Sequence, residues 1–230
     1  MCIRDMASAL FSQAKDHSFS KLTTAAFEQD SISEDKDATF FDADGDGDLD
    51  LYVVSGGYEF DESSPALQDR LYVNDGKGNF TKSQGQLPVN LTNKNCVRPV
   101  DFDLDGDLDL FIGGGVVPGN YPFASPSKIY FNDGKGNYSA IKPANAALGI
   151  VNDAYWLDLN NDGKKDMIVA GEWMQLKAFL SKDPLFVEAT QQWFPFASNG
   201  WWNSIAAGDF DHDGDIDLVV GNQGLNSPLR

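Results

Sequence analysis

Residues 39–54 read TFFDADGDGDLDLYVV. An acidic nonapeptide, DADGDGDLD at 42–50, sits between two apolar stretches rich in aromatic and β-branched residues. The pattern returns as DFDLDGDLD at 101–109, DLNNDGKKD at 158–166 and DFDHDGDID at 209–217. The starts are 59, 57 and 51 residues apart. A repeat of that length, each carrying strand signals, describes an array of small β units rather than one irregular domain. Before each acidic loop comes a short apolar stretch (39–41, 97–100, 154–157, 204–208). After it comes a β-rich run (51–54, 110–112, 167–169, 218–220), giving strand, loop, strand.

A second motif keeps the same phase. RLYVNDGKGNF at 70–80 and KIYFNDGKGNY at 128–138 lie 58 apart and place Asn, Asp and Gly where a tight turn needs positive φ. Degenerate copies stand at 178–186 (AFLSKDPLF) and 10–19 (LFSQAKDHSF). Each unit is thus about four antiparallel strands, with no long helical period between them. The predicted fold class is all-β, a β-propeller of four-stranded antiparallel blades. The expected divisions are a half blade at 6–30, blades at about 36–88, 95–146 and 152–192, and a half blade at 200–230. Three whole blades and two halves read as a piece of a longer propeller. A four-bladed ring would close only if the two halves met. Residues 1–5 read as a non-native leader encoded by a transposon-derived adaptor, which would make Cys2 a scar.

Charge sharpens the reading. The net charge is −18, from 35 acidic and 17 basic residues, and 29 of the acids are Asp. Asp is a poor helix-interior residue, so the acid belongs in loops. The four nonapeptides carry −5, −5, −1 and −5, leaving a nearly neutral scaffold of −2. A field this negative argues against nucleic acid or an anionic membrane as partner. No apolar run reaches the length of a membrane-spanning helix. Two cysteines cannot build a disulfide framework, and Cys96 reads as a buried small hydrophobe.

Alternate carboxylates at loop positions one, three and five can point inward on a tight loop. Gly at position six permits the turn, and the position-seven carbonyl and position-nine carboxylate can complete an oxygen shell suited to Ca2+. Clustered His or Cys, which zinc, copper or iron–sulfur would need, are absent from the loops. An EF-hand would need Glu at position twelve, where Val53, Ile112, Val169 and Val220 stand instead. Up to four calcium ions are expected. The third site should be weakest, because Asn160 replaces a carboxylate and Lys164 and Lys165 lie within the loop.

The acidic loop followed by an Asn-Asp-Gly hairpin resembles the FG-GAP/VCBS repeats, as in the integrin alpha-subunit headpiece. The flavour is that of bacterial secreted proteins that join such repeats to an ASPIC/UnbV domain, although no such segment is visible here. The resemblance covers nearly the whole chain from about Leu10. It implies calcium ligands at Asp42, Asp44, Asp46, Asp48 (carbonyl) and Asp50, and at Asp101, Asp103, Asp105, Asp107 (carbonyl) and Asp109. It implies the same of Asp158, Asn160, Asp162, Lys164 (carbonyl) and Asp166, and of Asp209, Asp211, Asp213, Asp215 (carbonyl) and Asp217. It also implies propellers of commonly seven blades.

Alternating strands put calcium and the NDGKGN turns on one face and the remaining connections on the other. Two of those connections, 55–69 and 113–127, are long and carry Tyr58, Phe60, Tyr121 and Phe123, others carry Trp173 and Trp201, and these six are the candidate ligand face. Trp193, Phe194, Phe196 and Trp202 lie in the same set of connections. The expected role is a binding or adhesion scaffold for an extracellular protein or glycan, in a secreted or cell-surface bacterial protein, outer-membrane-attached forms included. The alternative is an accessory propeller of a polysaccharide-acting enzyme whose catalytic domain lies outside this chain. The only histidines, His17 and His212, have no nucleophile partner in the sequence pattern, so no enzyme activity is expected of this chain.

Overall fold

The computed structural model describes residues 8–22, 24–141, 148–182 and 185–224. The expected leader at 1–5, the altered turn at 183–184 and the end of the last half blade lie outside these residues. The chain begins with a hairpin of β1 (Leu10–Gln13) and β2 (Phe19–Leu22), then a short helix α1 (Ala25–Gln29). Three four-stranded antiparallel sheets follow. The first is β3 (Glu34–Phe41), β4 (Asp50–Gly56), β5 (Arg70–Asn74) and β6 (Phe80–Lys82). The second is β7 (Lys94–Val100), β8 (Asp109–Gly114), β9 (Lys128–Asn132) and β10 (Tyr138–Ile141). The third is β11 (Ile150–Leu157), β12 (Asp166–Glu172), β13 (Lys177–Lys182) and β14 (Leu185–Glu188), followed by a single turn of helix, α2 (Thr190–Trp193). A last hairpin pairs β15 (Trp202–Gly208) with β16 (Asp217–Asn222). The two end hairpins are separate two-stranded sheets and do not complete one another. Among the described residues no helix is long and apolar enough to cross a membrane. The fold is all-β, and its meandering four-stranded sheets are propeller blades.

The core lies between sheets, and strand periodicity explains why. Successive side chains of a strand point to opposite faces. On β4, Leu51 and Val53 face a cluster with Phe27 and Tyr72, while Tyr52 and Val54 face the second sheet. On β8, Leu110 and Ile112 pack back on the first sheet, and Phe111 packs forward on the third with Ile129, Val151 and Met167. Each second strand is therefore apolar on both faces, which is the uninterrupted run seen after every acidic loop. Burying each of these large side chains contributes about 1.5–3 kcal/mol. Phe27 meets Tyr72 edge-on at 4.8 Å and so seats α1 against the first sheet.

The first strands of successive sheets also lie side by side: β3 against β7, β7 against β11, and β11 against β15. These strands begin earlier than the apolar stretches at 39–41, 97–100 and 154–157 suggest. Their N-terminal halves carry polar side chains around a bulge at the same place in each, between Asp35 and Asp37, Lys94 and Cys96, Val151 and Asp153, and Trp202 and Ser204. The polar side chains there are spent on joints between sheets. Asp37 accepts the Val97 N–H at 3.1 Å, and Asp153 accepts the Ile205 N–H at 2.7 Å. Asn95 donates to Val151 O and Asn152 Oδ1, each at 3.0 Å, and Asn152 donates to Trp202 O at 2.9 Å. Arg98 on the second sheet is ion-paired with Asp37 on the first and Asp153 on the third. Cys96 is buried beneath it, and burial pushes its thiol up to about 12.

Candidate metal centres

Each acidic loop joins the first two strands of its sheet, and all four share one backbone plan. The sixth-position glycines Gly47, Gly106, Gly163 and Gly214 have φ between 85° and 99°, a region that disfavours any Cβ. Each donates its N–H to the first-position Asp: Asp42, Asp101, Asp158 and Asp209. The fourth position is left-handed too, in Gly45, Leu104, Asn161 and His212. A left-handed leucine is strained by about 1 kcal/mol, so the loop geometry is imposed and not merely tolerated. His212 occupies this outward-facing fourth position and is exposed.

The turn gathers charge. In the first loop Asp42, Asp44 and Asp50 bring carboxylate oxygens within 4.8 Å of one another. Asp101, Asp103 and Asp105 do so in the second loop, and Asp209, Asp211 and Asp217 in the fourth. Asp44 Oδ1, Asp48 Oδ1 and Asp101 Oδ1 are buried and accept no hydrogen bond. Buried oxygens without donors, set among other carboxylates, fit a hard cation with oxygen ligands. Asp48 is expected to contribute only its carbonyl. Its carboxylate lies outside the triad, toward the Gly76 turn, and burial, then Asp46, Asp44 and Asp42, raise its pKa. Its Oδ2 would lie 3.0 Å from a Cβ on Gly76, and Asp107 lies closer still to Gly134. The two glycines of the Asn-Asp-Gly turns thus make room for seventh-position carboxylates, a contact that neither motif reveals alone.

The ninth position has a second task. Asp50 accepts N–H groups from Ala43 and Asn74, Asp109 from Phe102 and Asn132, and Asp166 from Leu159 and Ser181. Each carboxylate ties the start of its own loop to the third strand of its sheet. All three are buried, and burial raises the pKa of each, that of Asp109 to about 6.

The third loop differs. Among the described residues it gathers no triad of carboxylates. Asn160 Nδ2 donates to Asp162 Oδ2 at 3.0 Å, putting an amide where a cation would otherwise be wanted. Asp158 has a lowered pKa: burial alone would raise it, but N–H groups from Gly163 and Asp162 outweigh that.

The metal-free protein has a definite pH signature. The folded Asp109 carboxyl titrates near 6, above the roughly 3.9 of an unfolded Asp. Between those values the folded chain holds a proton that the unfolded chain has released, so stability falls as pH rises. Asp50 and Asp166 act in the same direction. Metal-stripped protein should melt at a higher temperature at pH 4.5 than at pH 6.5. A melting temperature that climbs across that window would contradict the assignment.

The NDGKGN turns lie on the metal face, as their topology requires. Asn132 Nδ2 donates to Ala43 O at 2.9 Å, and a Cβ on Gly136 would meet Asp44 Cβ at 3.4 Å. The turn of the second sheet therefore covers the acidic loop of the first. An FG-GAP-like repeat model matches residues 55–112 and 158–220, together just over half of the chain. The chain belongs to the FG-GAP-like repeat family. Each FG-GAP match runs from one sheet into the next, so the unit of sequence straddles the unit of structure. No curated protein matches the chain.

At the opposite end of the FG-GAP sheets, four of the six expected aromatics converge. Trp173 Nε1 donates to the Tyr121 hydroxyl, which lies 3.4 Å from Glu172 Oε2. The Trp173 and Trp201 rings are 5.1 Å apart. Tyr58 sits under the Lys36 ammonium at 5.6 Å, and its pKa is raised by burial and then by Glu172 and Tyr121. Phe60 packs near Gly57 in its own loop, and Phe123 points to solvent at 70% exposure. Glu172 is the residue that sequence reasoning missed, since a lone Glu beside a Trp carries no motif.

Proposed function

We propose that this chain is a calcium-stabilised propeller scaffold. Its acidic loops hold Ca2+ on one face, and its opposite face binds a ligand outside the cell. The observation that carries the reading is the set of buried, donor-less carboxylate oxygens at Asp44, Asp48 and Asp101, placed within loops that gather three carboxylates each. Unpaired buried charge of this kind is strongly unfavourable without a cation. Ca2+ suits the site better than Mg2+, because a multi-carboxylate loop supplies the larger shell and Mg2+ retains its waters. The ligands are those named for each loop. The third site is weakest because Asn160 and two lysines lower its charge. Filling of such loops at extracellular calcium levels supports a secreted or cell-surface setting. The role is binding, not catalysis, because metal accounts for the clustered carboxylates without any general acid–base pair.

Calorimetric titration of the metal-stripped chain with CaCl2 tests this. At least three sites should fill below millimolar calcium, with a weaker one after them. Asp158→Asn should remove only the weak phase, and Asp101→Asn one of the tight ones. No heat up to several millimolar Ca2+, or four equivalent sites, would overturn the assignment.

A further inference from the structure

The aromatic end of the molecule carries a cleft whose chemistry is more specific than that of a general binding face. It measures ≈ 320 Å³ and is lined by Trp173, Trp201, Asn199, Asn222 and Gln223, with two glycines. Beside the lining, Tyr121 accepts from Trp173 Nε1 and hydrogen-bonds in turn to Glu172. We infer that this cleft binds the pyranose ring of a neutral saccharide, stacked on the exposed face of Trp173. The inference rests on the scaffold reading above, and names the ligand class of that face.

Three observations converge. First, Trp173 is a large apolar side chain left 55% exposed. Its polar edge is satisfied by Tyr121, so only the flat π face is offered to solvent. The C–H groups on one side of a pyranose are weakly positive and suit that negative face. Second, the ring is fixed in advance. Its backbone is left-handed at φ 54°, a strained state for a bulky residue that is found mostly at functional positions. A bridge between Met174 and Gly200 ties the two tryptophan loops together, and the Gln223 N–H donates to Trp201 O at 2.9 Å. Gly200 leaves room there for the Asn222 amide and the Trp202 ring. Preorganisation of this kind lowers the entropy lost on binding. Third, the polar side chains lining the cleft are the amides of Asn199, Asn222 and Gln223, and the Glu172 carboxylate lies beside the lining on the Tyr121 hydroxyl. Amides donate and accept, and a carboxylate accepts from vicinal hydroxyls, which is the complement of a sugar rim. Among the described residues lining the cleft none is basic, and Glu172 beside it repels anions. Uronates and sialylated or sulfated sugars are therefore disfavoured.

The test uses the whole chain, calcium-loaded. Neutral oligosaccharides of glucose, galactose, mannose and N-acetylglucosamine are titrated while tryptophan fluorescence is followed, with oligouronates as the anionic comparison. At least one neutral series should bind and quench fluorescence, and the oligouronates should bind at least 10-fold more weakly. Trp173→Ala should weaken binding at least 10-fold, with the calcium titration and melting temperature unchanged. Glu172→Gln should keep the fold and narrow the gap between neutral and anionic sugars. Failure of every neutral sugar with normal calcium binding overturns the saccharide inference and leaves the scaffold standing. Equal binding of uronates, or full binding by Trp173→Ala, overturns it as well. Absent calcium binding overturns the scaffold reading itself.

Discussion

Stripping divalent cations from the folded chain is expected to lower its melting temperature by on the order of 10–20 °C at pH 7. A site held at 100 times its Kd adds about 2.7 kcal/mol to native stability. One kcal/mol moves the midpoint of a chain of this size by roughly 2–4 °C. Three loops gather carboxylate triads, and their effects combine as far as the sheets melt together. Repeat arrays can melt in parts, which sets the lower end of the range. The measurement is a thermal melt with excess Ca2+ and with EGTA at constant ionic strength. Mg2+ should restore only a fraction of the loss. A melting temperature indifferent to EGTA would show that these loops are solvated turns.

Lys94→Met is expected to cost about 3–5 kcal/mol, the range for breaking a buried ion pair from one side. Lys94 is wholly buried at 0% exposure, an extreme position for lysine. Its ammonium is 3.0 Å from Asp69 Oδ1, and it donates to Asn90 O at 2.9 Å and to Leu67 O. Asp69 also accepts from the Tyr52 hydroxyl at 2.9 Å and from Ser55 N–H at 2.8 Å. Burial lowers the pKa of Lys94 and raises that of Asp69, and the charge of each partner opposes the other's shift. Removing the ammonium strands a carboxylate and two carbonyls between the first and second sheets. Adding Asp69→Asn should recover part of the loss, because a neutral amide is less demanding there. Denaturant melts of both variants decide it, and a single variant within 1 kcal/mol of the parent would show that the network is dispensable.

The repeat period, the sheet order and the acidic loops were legible because each is written in residues close along the chain. What lay hidden is long-range. Lys94 reads as a surface charge ahead of a strand, and its partners at Asp69, Leu67 and Asn90 all stand in connections between strands. The polar starts of β3 and β7, and Asn152 and Asp153 of β11, carry no apolar signal, since their side chains answer to neighbouring sheets. Asp48 and Gly76 look like members of unrelated motifs until the hairpin folds over the loop. On the aromatic face, composition singled out six rings but could not tell Trp173, held by Tyr121 and Trp201, from Phe123, which projects into solvent. That distinction depends on where loops from different sheets meet.

The joints between sheets have a consequence for how such a chain can change in length. The hydrogen bonds from Asn95 to Val151 and from Asn152 to Trp202 use one strand position, reaching always to the next sheet onward. The carboxylates of Asp37 and Asp153 likewise reach forward to Val97 and Ile205. A module whose forward edge fits the rear edge of any other can be duplicated or deleted in whole units without a new interface being devised. Arg98 and Asp153 reach both ways at once, Arg98 to Asp37 and Asp153, and Asp153 to Arg98 and Ile205. There neighbouring modules have become a matched set, and shuffling would leave a charge without its counterpart.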